Sequence, residues 1–479
     1  MPNRIRESGA PAVDVVILAA GKGTRMKSRL PKVLHKLAGT PLLGHVLATA
    51  AALQARHVVV VTGHGAPEVE AHIAANTLAS GTFDMQFVRQ EPQLGTGHAV
   101  QQAAPVLPDD GVVLVLSGDV PLIQPATLQA LVAASGGERL ALLGMALADP
   151  TGYGRLVRDP ALGAGRVAAI VEHKDASPEQ RAIHEVYSGM MAVPARMLKA
   201  WLARLTNNNA QSEYYLTDIV QFAVADGVPV LAHLTDDHLQ VEGINSPAQL
   251  AALERAWQLR QAQALLEAGV RLADPARIDV RGSLTCGQDV EIDVNCIFEG
   301  TVALGDGVRI GAHCVLANAQ VAAGAVIHPF THIDGGSTGV TVGPGALVGP
   351  FARLRPGAVL GAEVHIGNFV EVKNSTLADG AKANHLAYLG DATVGERVNY
   401  GAGSITANYD GANKHRTVIE ADVHVGSNCV LVAPITIGAG GTVGGGSTLT
   451  KSTAPGALSV ARGKQLSIAN WQRPTKRAK

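Results

Sequence analysis

Apolar positions along this chain obey two different rules, and the change from one to the other divides it. In the second half they recur every sixth residue: Leu304, Ile310 and Leu316, then Val342, Val348, Leu354, Leu360, Ile366 and Val372, then Val425, Leu431, Ile437, Val443 and Leu449. Glycine often follows at once, as at Gly305, Gly311, Gly343, Gly361, Gly367 and Gly426. A period of six is that of a hexapeptide β-helix, in which each short strand turns one aliphatic residue inward. One coil cannot cover its own apolar face, so stacked coils supply the core. A flexible glycine-rich segment would not keep Ile, Leu or Val at the inward positions so regularly. The period slips by one between Val372 and Leu377 and again before Val394. That slip predicts a solenoid interrupted over Ala378–Asp410, the kind of interruption that carries functional loops.

The first half alternates instead. Val13–Ala20, His57–Thr62 and Val112–Leu116 are Val/Leu-rich runs that read as strands, and Pro41–Leu53 and Pro125–Ala133 have helical spacing. This predicts an α/β domain with a mostly parallel sheet covered by helices, whose ligands sit beyond the C-terminal strand ends. Between the halves, Ser246 followed by Pro247 and Gln249 has the form of a helix start. Leu250, Leu253, Trp257, Ala264 and Ala268 then recur at three- or four-residue steps until Gly269. The segment is expected to be a connecting helix. Glycine usage agrees, with 23 of the 54 glycines in residues 1–270 and 31 in the shorter remainder.

Composition narrows the function classes. A length of 479 residues, with 47% hydrophobic and 16% charged positions, suits two to four packed domains. Net charge is -1, from 39 Lys+Arg against 40 Asp+Glu, without the basic excess of a nucleic-acid binder. Only the tail Arg473–Lys479 is locally basic. Cys286, Cys296, Cys314 and Cys429 lack CxxC spacing, so neither a zinc site nor a disulfide framework is indicated. Met1–Asp14 is polar, the apolar run Val15–Ala20 is too short for a signal-peptide core, and no stretch has the ~20 apolar residues of a membrane helix. The expectation is a soluble cytoplasmic protein that binds neither nucleic acid nor membrane.

Chemistry is to be sought first at the strand ends. The first strand runs into Leu18-Ala19-Ala20-Gly21-Lys22-Gly23-Thr24-Arg25-Met26, with Pro31-Lys32 shortly after. Glycines there admit backbone N–H groups to a phosphate chain, and Arg25 and Lys32 add charge. The run is neither a Walker A loop nor a complete dinucleotide fingerprint. A second glycine-rich turn, Gln93–His98, suits a base or ribose. Taken alone each loop is a weak signal. Asp119, in Ser117-Gly118-Asp119-Val120-Pro121-Leu122 after the strand Val112–Leu116, raises it: a hard carboxylate at a strand end suits Mg²⁺ bridging phosphates.

With these motifs the chain resembles the sugar-phosphate nucleotidyltransferase superfamily. Along nearly its whole length it is similar to the bacterial family of bifunctional N-acetylglucosamine-1-phosphate uridylyltransferases and glucosamine-1-phosphate acetyltransferases. The similarity extends through Thr151–Arg155, Val171–Asp175, Leu205–Gln211, Val241–Asn245, Arg353–Gly357, Tyr388–Asp391 and Asn408–Lys414. The resemblance implies a Rossmann-like N-terminal domain and a left-handed parallel β-helix of hexapeptide repeats that packs as a homotrimer. It implies that Leu18, Ala19, Ala20, Gly21, Lys32, Gln90, Gly95, Thr96 and Gly118 hold the uridine nucleotide of UTP. Gly154 and Glu172 would hold N-acetylglucosamine 1-phosphate, and Asp119 with Asn245 would hold Mg²⁺. The chemistry of the residues agrees, since a sugar phosphate is already a nucleophile and needs only placement and charge neutralisation. Two positions depart from the family: Tyr187 stands where an asparagine contacting the sugar phosphate is common, and Ser117 where a tyrosine is frequent.

The irregular stretch of the second half carries Lys373, His385, Tyr388, Asn399, Asn408 and Tyr409, with Arg355 one coil earlier. Acetyl transfer to a sugar amine needs a base of pKa near 7, and His385 suits it. Arg355 and Lys373 form a basic pair suited to a phosphate. With no cysteine nearby, direct attack of the amine on a thioester is favoured over a covalent acetyl-enzyme. By resemblance His385 is the general base, and Arg355, Lys373, Tyr388 and Asn399 bind glucosamine 1-phosphate. Ala402, Asn408, Tyr409, Ser427 and Arg462 contact acetyl-CoA, and Gly445 replaces a common alanine.

The resulting expectation is an extension (1–13), a uridylyltransferase domain (14–245), a linker helix (246–269), a β-helix acetyltransferase domain (270–455) and a tail (456–479). The expected activity is synthesis of UDP-N-acetylglucosamine from acetyl-CoA, glucosamine 1-phosphate and UTP. Two alternatives stand beside it: uridylyl transfer alone, with the β-helix an oligomerisation module, and a catalytically dead scaffold.

Overall fold

A computed structural model describes residues 11–77, 84–163, 165–209 and 211–476. Residues 1–10 of the expected extension, Ala210 of the Leu205–Gln211 stretch and residues 477–479 of the tail lie outside these. The chain divides into two compact units, Met1–Ala256 and Trp257–Lys479.

The first unit is built on one sheet of nine strands: β1 (Val13–Leu18), β2 (His57–Thr62), β3 (Asp84–Arg89), β4 (Val112–Ser117), β5 (Leu140–Ala146), β6 (Arg155–Arg158), β7 (Val167–Val171), β8 (Glu185–Pro194) and β9 (Val230–Leu234). The order is β9-β5-β8-β4-β1-β2-β3, with β6 and β7 attached to β8. β1 pairs in parallel with both β2 and β4, and β8 runs antiparallel to β4 and β5. Val15, Val16 and Ile17 are wholly buried because helices cover both faces, which is why β1 reads as a continuous apolar run. The predicted helices span Leu42–Ala52 and Pro125–Ser135. Chain order reverses at β1, between β4 and β2, so a crevice opens beyond the ends of β1 and β4.

The helix Pro247–Glu267 straddles the division. At its start Ser246 Oγ accepts from the Gln249 N–H at 3.2 Å, while the Gln249 side chain accepts from the Asn245 N–H at 2.9 Å. The cap that begins the helix therefore also fixes Asn245. Within the second unit, buried Gln258 exchanges two hydrogen bonds with the Val280 backbone, at 2.9 and 2.7 Å, which anchors the helix to the first coil.

The second unit is a left-handed parallel β-helix. Its inward residues stack in register, Leu354 on Val372 and Ile366 on Ala383, and almost all are fully buried. Each aliphatic side chain so buried contributes about 1.5–3 kcal/mol. His313, Phe330, Phe351 and Phe369 stack along one corner, with ring centroids 4.8, 5.0 and 5.4 Å apart.

The expected interruption over Ala378–Asp410 is not there. Leu377 pairs with Val394, Ala383 with Tyr400 and Tyr388 with Ile405, so the ladder continues through most of that stretch. The slip is a shortened corner. Val372 and Leu377 are five positions apart because Asn374 turns the chain in the left-handed region (φ 45°), as Asn318 and Asp391 do at two other five-residue steps. The real insertion comes later, between the strands Ile405–Ala407 and Thr417–Ile419, and it stretches the step from Val394 to Ile419 to 25 residues.

Candidate functional sites

In the first unit, Leu18–Gly21 and Ser117–Asp119 emerge side by side from β1 and β4, tied by the Gly118 N–H donating to the Leu18 carbonyl at 2.9 Å. A side chain at Gly118 would press on that carbonyl, at 3.1 Å, so the residue type follows from the close approach. The crevice holds a cavity of about 400 Å³. Leu18, Ala19, Ala20, Gly21, Lys32, Gln90, Gly95, Thr96 and Asp119 line it, together with Lys22, Gln93 and Glu213, which the sequence reading did not assign. Gln93 lay in the glycine-rich turn already noticed. Glu213 carried no signal because only folding brings Tyr214 and its neighbour across that turn, where the Gly97 N–H donates to the Tyr214 carbonyl at 2.7 Å. Buried Gln90 donates to the Gly95 carbonyl at 2.8 Å and shapes the turn. Gly95 has φ 104°, and a Cβ there would meet the Tyr214 carbonyl at 2.7 Å. Thr96 Oγ1 accepts from the Leu216 N–H.

Lys32 Nζ stands 2.5 Å from Asp119 Oδ2 and 3.2 Å from Asn245 Oδ1. Asn245 reaches it because the Ile244 N–H donates to the Asp119 carbonyl at 3.0 Å. Two oxygens 126 positions apart in the chain thus face one point, and a cation already sits against both. A hard oxygen pair fits Mg²⁺, which takes few protein ligands and keeps waters and phosphate oxygens.

Gly154 and Glu172 do not line that cavity; they cluster beside it with Tyr187. The Tyr187 N–H donates to the Gly154 carbonyl at 2.9 Å, and a Cβ on Gly154 would lie 3.6 Å from Glu172 Oε1. Burial pushes the Glu172 carboxyl above its ordinary range, against a Thr217 hydrogen bond that lowers it, with Asp175 and Asp218 adding repulsion. Burial also pushes the Tyr187 phenol up, and Glu172 adds to it. The Tyr187 hydroxyl is buried and has no hydrogen-bond partner among the described residues.

In the second unit, His385 lies exposed at a corner, its Nδ1 2.9 Å from Asn368 Oδ1. The amide oxygen can only accept, so Nδ1 carries the proton and Nε2 is left to take one. Asn368 was missed by the sequence reading, although it pairs in register with His385 one coil earlier. The same corner of later coils carries Ala402, Ser427 and Arg462. The Gly403 N–H donates to the His385 carbonyl, Asn428 to Ala402 and Gly446 to Ser427, while the Arg462 guanidinium donates to the Gly445 carbonyl at 2.7 Å. One edge of the solenoid therefore holds the candidate base and three of the five expected acetyl-CoA contacts. Cys429 is two residues from Ser427, but it is buried and its thiol faces the Ser427 and Gly444 carbonyls.

Arg355, Lys373 and Tyr388 occupy successive coils of one sheet, whereas Asn399 stands on another, in register with Lys382 and His424. Arg355 is paired with Glu371 at 2.8 Å. Asn408 is buried and donates to Asp391 at 2.5 Å, anchoring the insertion, while Tyr409 is exposed with its hydroxyl on the Gly411 carbonyl. Burial works to raise the Asp391 carboxyl, but hydrogen bonds from Asn374 and Asn408 and the charge of Lys373 hold it below its ordinary range. Lys414, on the insertion, points to Lys373, whose proximity depresses its ammonium pKa. Lys373 also lies 3.7 Å from the Asp391 carboxylate. A groove of about 430 Å³ between Arg271 and Pro329 contains none of these residues. Among the described residues no cluster of three His, Cys, Asp or Glu could hold a metal, and no helix is long and apolar enough to cross a membrane.

Comparison with known proteins accounts for both halves. Residues 15–269 match the MobA-like NTP transferase domain, and residues 339–374 match the bacterial transferase hexapeptide of six repeats. The "Bifunctional protein GlmU" of Acidovorax sp. (strain JS42) is 74% identical over 476 residues, covering 98% of this chain and 99% of that protein. The protein of the same name from Albidiferax ferrireducens is 74% identical over 97% of this chain and all of its own length, and that from Azoarcus sp. (strain BH72) is 57% identical over 97% of this chain. A solved UDP-glucose pyrophosphorylase complexed with UDP-glucose covers 51% of this chain and 98% of its own at 17% identity and a TM-score of 0.42, a likeness too loose to carry an argument. On the full-length identities, this chain belongs to the family of bifunctional GlmU proteins.

Proposed function

We propose the following division of labour in an enzyme that makes UDP-N-acetylglucosamine. The second unit transfers the acetyl group of acetyl-CoA to glucosamine 1-phosphate. With its Nδ1 proton held on Asn368, His385 takes a proton at Nε2 from the neutral sugar amine as that nitrogen bonds to the thioester carbonyl carbon, and the C–S bond breaks to release CoA as its thiolate. Arg355, Lys373 and Tyr388 bind the sugar phosphate, and Lys414 adds a second ammonium. Asn399 lies on a different sheet from those three, which supports a homotrimer in which neighbouring subunits complete each site.

The first unit then joins N-acetylglucosamine 1-phosphate to UTP. A phosphate oxygen of the sugar attacks the α-phosphorus while pyrophosphate departs. Leu18–Gly21, Gln90, Gly95 and Thr96 hold the nucleotide, and Gly154 and Glu172 hold the sugar. Mg²⁺, held by Asp119 and Asn245, supplies charge neutralisation on the phosphates. Lys32 turns its ammonium to the same charge, and Tyr187 adjusts sugar selectivity. The working compartment is the cytoplasm. The domain limits are residues 14–245 for uridylyl transfer and 270–455 for acetyl transfer.

The observation that carries this reading is the convergence of Lys32, Asp119 and Asn245 at the point where the strand order reverses. Purified protein supplied with acetyl-CoA, glucosamine 1-phosphate, UTP and Mg²⁺ is expected to form UDP-N-acetylglucosamine, detected by chromatography. Product formation that does not depend on Mg²⁺ would remove the metal from the account.

A further inference from the structure

Arg155 is 1% exposed, and among the described residues no carboxylate pairs with it. Its guanidinium donates to the Tyr153 carbonyl, to the Arg181 carbonyl at 3.4 Å and to His173 Nδ1 at 3.2 Å, while Nε has no partner among the described residues. The Asp149 carboxyl feels this charge, but it is fully exposed and is held low chiefly by hydrogen bonds from Thr151. A buried cation without a counter-charge is costly, and apolar residues of like volume commonly serve stability as well or better. Stability therefore does not explain an arginine here.

Its three contacts do. Tyr153 immediately precedes Gly154, His173 immediately follows Glu172, and Arg181 ends the short helix Pro178–Arg181 that follows the Glu172 loop. A planar fork reaches all three at once, which a single ammonium cannot do. We infer that Arg155 is a positioning residue for uridylyl transfer: it sets the separation of Gly154 and Glu172 and so the seat of the sugar phosphate, without touching substrate. The inference rests on Gly154 and Glu172 being the sugar site.

The test is steady-state kinetics on the full-length chain. Arg155→Lys is expected to raise KM for N-acetylglucosamine 1-phosphate about tenfold, with kcat and the KM for UTP moving less than about twofold. Acetyl transfer by the same preparation stays at the wild-type rate, which certifies the chain. Arg155→Met shows the same split, because the fork and not the charge alone is what the site needs. An unchanged sugar KM in Arg155→Lys, or kcat and both KM values shifting together, overturns the inference. Glu172→Gln separates the two failures. If it leaves the sugar KM unchanged, the sugar-site reading falls and the inference with it; if it raises the sugar KM while Arg155→Lys does not, only the inference falls.

Discussion

The two units solve the same problem, holding a charged sugar against a reactive group, by opposite routes. In the α/β unit the proposed site draws on Lys32, Asp119 and Asn245, and nothing local in the sequence brings their side chains together; the folded sheet and a helix cap do. In the solenoid, His385, Ala402, Ser427 and Arg462 lie on one edge because each coil repeats the corner of the one before. The first site is therefore exposed to any change in how the sheet packs. The second depends on the register between coils, which holds through corners one residue shorter. Convergence concentrates charge at one point, whereas repetition spreads a site along a line.

The largest effect that would sharpen this contrast is in the solenoid. His385→Ala is expected to slow acetyl transfer on the order of a thousandfold while uridylyl transfer, measured by pyrophosphate release, is untouched. Asn368→Ala, which frees the tautomer, costs acetyl transfer about tenfold, the loss of one orienting hydrogen bond. Next, Asp119→Asn should slow uridylyl transfer by roughly a hundredfold with acetyl transfer unchanged. Equal losses in both activities would mean that the units are not independent.

Tyr187→Phe is a smaller test of what convergence costs. Removing a buried hydroxyl that has no partner among the described residues should stabilise the first unit by about 1 kcal/mol in denaturant unfolding, whatever it does to sugar affinity. A loss of stability would mean that the hydroxyl is satisfied in solution. The smallest effect concerns pH. Glu172 and Asp218 have carboxyl pKa values raised first by burial. Between the ordinary carboxylate pKa and the raised one, the folded state keeps a proton the unfolded chain has lost, so stability falls as pH rises through that window. Glu172→Gln removes its share, and melting curves of the variant should decline less over that range than those of wild type.

The solenoid was legible because burial in it is local: one inward aliphatic per short strand needs no distant partner to be recognised. The same locality misled at Val372–Leu377, where a fixed period of six turns a shorter corner into a gap. Asn318, Asn374 and Asp391, each tolerant of left-handed backbone, marked those corners in advance. Asn368 escaped notice because its importance lies in the coil beneath His385, one full turn away in the chain. Strand and helix positions in the α/β unit were readable from their apolar runs, and the glycine turns from their motifs. Glu213, the Arg155 fork and the empty hydroxyl of Tyr187 were not, since each depends on segments that meet only when the sheet closes.

What the amino-acid order determined alone is therefore the architecture of each half and the residue types at the strand ends, since periodic burial and turn chemistry are properties of short segments. Only the tertiary structure decided which oxygen faces which cation, which side chain is left without a partner, and which corner stacks on which. Those are distances between residues far apart along the chain, and no local preference sets them.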